Sequence, residues 1–158
     1  MEYSALLLVH VLSSFIWGGG VVITGFFFIP AILEAGPAGG AVMGGIMKRK
    51  YGVYMTIAGV LAVLSGLRLY SIRFSAAWLS TPEGIVLTLG GLLGLSAFGI
   101  GVFRQKPLAE KMALLAKEGR GAEIPVVAAR LTKLAKVAAW HIVAVIILMA
   151  GKSLAAQL

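Results

Sequence analysis

ALLLVHVLSSFIWGGGVVITGFFFIPAIL, residues 5–33, runs without a single charged side chain. Crossing a bilayer takes ~20 apolar residues. The stretch is longer than that, which predicts a span that tilts or projects beyond the membrane. Inside it stand His10 and, further on, Trp17 followed by Gly18, Gly19 and Gly20. An imidazole at that depth costs free energy unless it is paired or ligated, so it is a candidate functional group. The other histidine of the chain, His141, also lies in an apolar run, next to Trp140.

The whole chain matches this segment in character. Of its 158 residues 59% are hydrophobic and 13% charged, with a mean hydropathy of +0.97. Soluble domains average roughly 45–50% apolar and 25% charged. The expectation is an all-α integral membrane protein. Further apolar stretches predict spans at about 51–72, 83–104 and 130–156, beside the first at about 4–33, in one four-helix transmembrane domain. The first segment lacks a basic leader region and exceeds the core length of a signal peptide, so it is expected to stay as a spanning helix. The chain has no cysteine, which excludes disulfides, iron–sulfur clusters and thiolate metal sites.

Charge orients the bundle. The net charge is +8. Lys48, Arg49 and Lys50 lie between spans one and two; Arg104, Lys106, Lys111, Lys117, Arg120, Arg130, Lys133 and Lys136 lie between or flank spans three and four. The other side carries Arg68, Arg73 and Lys152, with Glu2 and Glu83. Basic loops stay in the cytoplasm, which puts both termini outside a cell (inner) membrane. Positives confined to loops read as a topology signal and not as a nucleic-acid surface. Trp78, in the outer loop, suits the interfacial aromatic belt. Pro30, Gly36 and Pro37 punctuate the end of the first span. Leu108, Met112 and Leu115 recur at helical spacing and predict an extension of the third helix that packs on the start of the fourth. The alternative is an interfacial amphipathic turn. No internal repeat stands out.

Lipid tails are as apolar as leucine, so helices in a bilayer associate through small residues and interhelical hydrogen bonds. Ala58, Ala62 and Gly66 recur four apart in the second span; Gly90, Gly94, Ser96, Gly99 and Gly101 mark the third. These faces suit the bundle interior or a homo-oligomer. On helix one, His10, Ser13, Ser14, Trp17, Gly20 and Thr24 fall on one side, with Gly18 at its margin. Such a polar, small and aromatic stripe suits a planar cofactor, and also a tightly packed bundle. Met55 and Met149 lie within spans and Met43 and Met47 beside the first basic loop; they are the remaining candidates for an axial ligand, although a methionine in a membrane helix is usually a packing residue.

If both histidines ligate one haem iron, they must share a depth. With Glu2 and Lys152 both at the outer interface, the depths of His10 and His141 differ by about 4–5 Å; with the last helix running to Leu158, by more than about 10 Å. The competing reading of His10 is a satisfied core imidazole, bonded to Ser13, Ser14 or a neighbouring helix.

Leu8-Val9-His10, Trp17-Gly18-Gly19 and Pro30 resemble the first helix of the membrane proteins related to copper-resistance protein D and of the HemJ-type protoporphyrinogen oxidases. Met47-Lys48-Arg49-Lys50-Tyr51-Gly52 and Gly66-Leu67-Arg68-Leu69 resemble the entry to and end of their second helix. HemJ-type proteins are helical, bind b-type haem and oxidise protoporphyrinogen IX. The likeness makes His10 the counterpart of the family's helix-one histidine and Arg49 that of its basic residue before helix two. Gly84 to Phe103 has neither the Lys nor the His of the HemJ third helix, so the likeness extends to haem ligation and not to the oxidase reaction.

The leading expectation is thus a b-type haem held by His10 and His141. Ser13, Ser14, Trp17 and Gly18 would shape its pocket, and Arg68 and Arg73 would face the propionates or else snorkel at the interface. The activity expected is electron transfer, or oxidation of a lipid-soluble substrate such as a quinone or a porphyrin. The rivals are a copper or other metal-ion permease or accessory subunit, and a structural scaffold without cofactor. Absence of cysteine and of clustered Met-His motifs weakens the copper reading.

Overall fold

The computed structural model describes residues 2–36, 39, 42, 45, 46 and 49–155, with side chains through Gly151. Met43, Met47, Lys48 and Pro37, and the side chain of Lys152, lie outside the described residues. Every regular element among the described residues is helical. Four helices are long and apolar enough to cross a membrane. We label them α1 (Glu2–Glu34), α2 (Tyr51–Arg73), α4 (Pro82–Lys117) and α5 (Ile124–Ala155), with a one-turn helix α3 (Ala76–Leu79) between the second and third. The third span runs on to Lys117 and the last begins at Ile124, earlier than the apolar pattern alone indicates.

Two helices continue through a proline. In α1 a π turn at Thr24–Phe28 precedes Pro30, and in α4 a π turn at Gly101–Gln105 precedes Pro107. Proline removes an amide donor and crowds the carbonyl four residues earlier. A widened turn re-satisfies the freed groups, a local adjustment known in membrane helices. Pro30 therefore does not end the first helix. It ends at Gly36, whose φ of +56° is the left-handed conformation that glycine adopts without strain.

Local capping sets the short connection between α2 and α4. Ser75 Oγ accepts the Trp78 amide at 3.1 Å, and Thr81 Oγ1 accepts the Gly84 amide at 3.0 Å. Pro82 occupies the first turn of α4, where its missing N–H costs nothing. At the basic end, Arg120 N–H donates to Leu115 O at 3.0 Å and Gly119 has φ +71°, the geometry of a Schellman stop.

The helices pair as two hairpins, α1 on α2 and α4 on α5, joined mainly through α1 against α5. Their seam is made of small residues. Ala58, Ala62 and Ser65 of α2, Ala97 of α4, and Ala135, Ala138 and Ala139 of α5 are all buried. Large apolar side chains point outward instead, Phe15 being 80% exposed and Phe103 73%. A core of alanine wrapped in leucine and phenylalanine inverts the water-soluble pattern and is what lipid as solvent selects. The Lys106–Lys117 end of α4 continues the helix as an arm docked on α5. Leu108 and Met112 pack against the cluster of Ile29, Leu131 and Ala135, and Leu115 is buried. The extended-helix reading of this segment describes what is seen.

Candidate functional site around His10

His10 faces α2. Its Nδ1 lies 3.0 Å from Ala62 O and 3.2 Å from Ser65 Oγ. A carbonyl only accepts, and Ser65 spends its one hydroxyl hydrogen on carbonyls of its own helix, Leu61 O and Ala62 O. Nδ1 therefore carries the ring hydrogen and donates across the helix pair; this tautomer follows from the hydrogen-bond network. Nε2 is left with its lone pair and makes no hydrogen bond among the described residues. It is not sealed in either, since among the described residues no buried side-chain nitrogen or oxygen lacks a partner.

Gly66 makes this seat. A Cβ there would stand 2.8 Å from His10 Cε1, so the ring lies directly on the α2 backbone. Ser65 and Gly66 escaped the sequence reading as functional partners. The available signal was a hydroxyl next to a glycine in an otherwise apolar helix.

The residues expected to wall a pocket are otherwise engaged. Ser13 Oγ is buried and donates to Val9 O at 2.6 Å, a bond within its own helix. Trp17 is buried and meets Phe98 edge-on at 5.9 Å between ring centroids. Gly18 accommodates Ile142, whose Cγ2 is 3.2 Å from where a Cβ would be, and Gly20 accommodates the Met55 thioether. Thr24 Oγ1 and Tyr51 Oη are hydrogen-bonded at 2.6 Å. Ser14 is half-buried and makes no hydrogen bond among the described residues. The small and polar stripe of α1 therefore serves helix packing: protein side chains fill the space that a macrocycle would need at Gly18 and Gly20.

The two histidines are not brought together. His141 Nδ1 donates to Val137 O of its own helix at 2.7 Å. Gly18 lies against Ile142, Gly25 against Ala135 and Ala139, and Phe26 against Trp140. These contacts set His141 opposite residues near 19–25 of α1. His10 is then at least nine residues away along the axis, about 13 Å at the rise of an α-helix. Of the two depth arrangements expected, the register matches the one with the larger mismatch. His10 is also turned toward α2, away from that helix.

Arg68 and Arg73 already face carboxylates. Arg68 pairs with Glu2 at 3.4 Å, and Arg73 with Glu83 at 2.6 Å while lying 5.7 Å over the Tyr3 ring. Trp78 packs edge-on against Tyr70. The described residues hold no group of three or more His, Asp or Glu that would enclose a metal ion. Comparisons with family models, with curated proteins and with solved structures find no match to this chain.

Proposed function

We propose that this is a membrane haem protein in which His10 Nε2 is an axial ligand of a b-type haem, serving electron transfer or oxidation of a lipid-soluble substrate. The observation that carries the reading is the Nδ1–H donated to Ala62 O. A metal-ligating histidine characteristically donates its other ring N–H to a carbonyl or carboxylate, which fixes the tautomer and orients the ring. When bound, haem supplies one-electron redox chemistry. The donor fits that role; the glycine face of α1 does not fit the macrocycle, so Ser13, Trp17 and Gly18 are not retained as its walls. His141 is not retained as a second ligand of the same iron. His10 would then be the residue that holds the haem, and the haem would supply its one-electron chemistry there.

The visible spectrum of purified protein tests this. A Soret band that His10→Ala abolishes and His141→Ala preserves is the expected result. A colourless preparation from haem-supplied cells, or a Soret band unchanged in His10→Ala, rejects it. A second reading, a cofactor-free bundle with His10 as an interhelical clamp, draws on the filled space at Gly18 and Gly20. It predicts a colourless protein that His10→Ala destabilises.

The same reading puts the basic end in the cytoplasm, following the loop charges. Because the chain has no cysteine, Ala76→Cys and Ala122→Cys report sidedness without background. Impermeant thiol reagents added outside intact cells should label only the first.

A further inference from the structure

The two ends of the bundle treat their cations differently. At one end Arg68 and Arg73 are neutralised by Glu2 and Glu83. At the other, Arg120 takes both Glu118 and Glu123. Arg104, Lys106, Arg130, Lys133 and Lys136 are exposed and form no ion pair among the described residues. Glu34 and Glu110 are the acids left at that end.

These cations are ordered. On α5, Arg130, Lys133, Lys136 and Trp140 occupy one arc of the helix. The opposite arc, with Leu131, Ala135, Ala138 and Ile142, is buried. Trp140 is 63% exposed, yet its ring is held by an edge contact with Phe26 at 5.2 Å. A fixed, exposed tryptophan between apolar and basic residues marks the headgroup level of a bilayer. Measured from it along the axis, Lys136 and Lys133 stand about 6 and 10 Å further out, within headgroup reach, and Arg130 about 15 Å. Gln105 Nε2 donates to Leu134 O at 3.3 Å, which brings Arg104 and Lys106 of α4 to the level of Lys133.

We propose that this belt binds the phosphodiester headgroups of anionic phospholipids in the leaflet it faces. Lysine and arginine near a membrane surface each add an increment of attraction to anionic lipid. Exposed cations that form no ion pair among the described residues make that attraction local. The proposal is independent of the haem reading.

Trp140 is its own reporter. Protein in neutral detergent is titrated with brominated phosphatidylglycerol or brominated phosphatidylcholine, and the Trp140 share of the emission is taken by difference from Trp140→Phe. The anionic lipid should reach half-quenching at about tenfold lower mole fraction, each cation contributing up to about fivefold. Arg130→Gln/Lys133→Gln/Lys136→Gln should bring the ratio close to one, whereas Lys133→Arg/Lys136→Arg should keep it. Equal quenching by both lipids in the parent, or a preference that survives the triple change, overturns the proposal. Loss of the preference when a soluble oligonucleotide of equal charge is added also overturns it, assigning the belt to a soluble polyanion.

Discussion

Replacing Gly66 by alanine separates the His10 seat from the general stability of the bundle. The new Cβ would lie 2.8 Å from His10 Cε1 and 3.2 Å from Nδ1. Carbon atoms settle at about 3.5–4.0 Å, so the ring must retreat by about 0.7 Å or more. The Nδ1···Ala62 O distance is now 3.0 Å. Such a retreat carries it beyond the ~3.2 Å limit of an N–H···O bond. An interhelical hydrogen bond in a membrane averages about 0.6 kcal/mol and reaches about 1.7. Alanine in place of glycine returns up to about 1 kcal/mol of helix propensity. The two nearly cancel, and the unfolding free energy should change by less than about 1 kcal/mol. His10 itself should change clearly. In ¹⁵N-histidine spectra of the reconstituted protein the hydrogen-bonded Nδ1–H signal should move, and in haem-loaded protein the Soret maximum should move with it. Gly91→Ala, where a Cβ meets nothing within 4 Å, is the control and should leave both signals in place. An unmoved Nδ1–H signal in Gly66→Ala, or a loss of several kcal/mol, refutes the reasoning.

Three further outcomes follow from the same contacts. Gly25→Ala sets a Cβ 2.6 Å from Ala135 O and 2.9 Å from Ala139 Cβ, neither of which can swing aside. Forcing α1 from α5 should cost about 1–3 kcal/mol in detergent unfolding, and a neutral result means the helices are less closely packed than described. Leu115, 2% exposed, pins the α4 arm. Leu115→Ala should lose about 2–5 kcal/mol of that docking and speed tryptic cleavage within Lys106–Lys117; unchanged cleavage rejects the pin. The Arg120 guanidinium holds the Glu123 carboxyl below the usual carboxylate range. The stabilisation from this pair is therefore complete above the ordinary carboxylate value and is lost only as pH falls through the lowered one. Carboxyl ¹³C titration should place Glu123 below the same group in an unstructured peptide, and Arg120→Ala should erase the difference.

What the sequence makes legible here is set by the solvent. Long apolar runs identify the four spans because a helix satisfies its own backbone in hydrocarbon, and the docked arm shows in Leu108, Met112 and Leu115 because charged residues stand between them. The seam is harder to read. In a soluble helix the buried face is the apolar one, but here Phe15 and Ala139 are both apolar and only size separates lipid from interior. Of the α4 glycines assigned to packing, Gly90 is buried against Met149 while Gly94 and Gly101 face open space, and alanines 135, 138 and 139 of α5 carry the seam. The same ambiguity explains the pocket. A histidine above serines and glycines is the pattern of a cofactor wall and equally of a close helix crossing. What distinguishes them is whether side chains from other helices, Ile142 and Met55, enter the space the glycines leave, and nothing in α1 encodes that.

That ambiguity bears on His10 in particular. Its seat is written in α2, where Gly66 opens the space and Ala62 O and Ser65 meet Nδ1. A clamp that served packing alone would be complete once both helices were joined, and either ring nitrogen would do. The arrangement here uses Nδ1, the nitrogen nearer the backbone, and leaves Nε2, the one that reaches furthest, with its lone pair. His141 shows the same Nδ1-to-carbonyl pattern but within its own helix, so its bond orients a ring without joining helices. His10 alone combines an anchored tautomer, a partner on a second helix and a lone pair without a hydrogen bond among the described residues, and an electrophile able to meet that lone pair, of which haem iron is the proposed case, gives the combination a use.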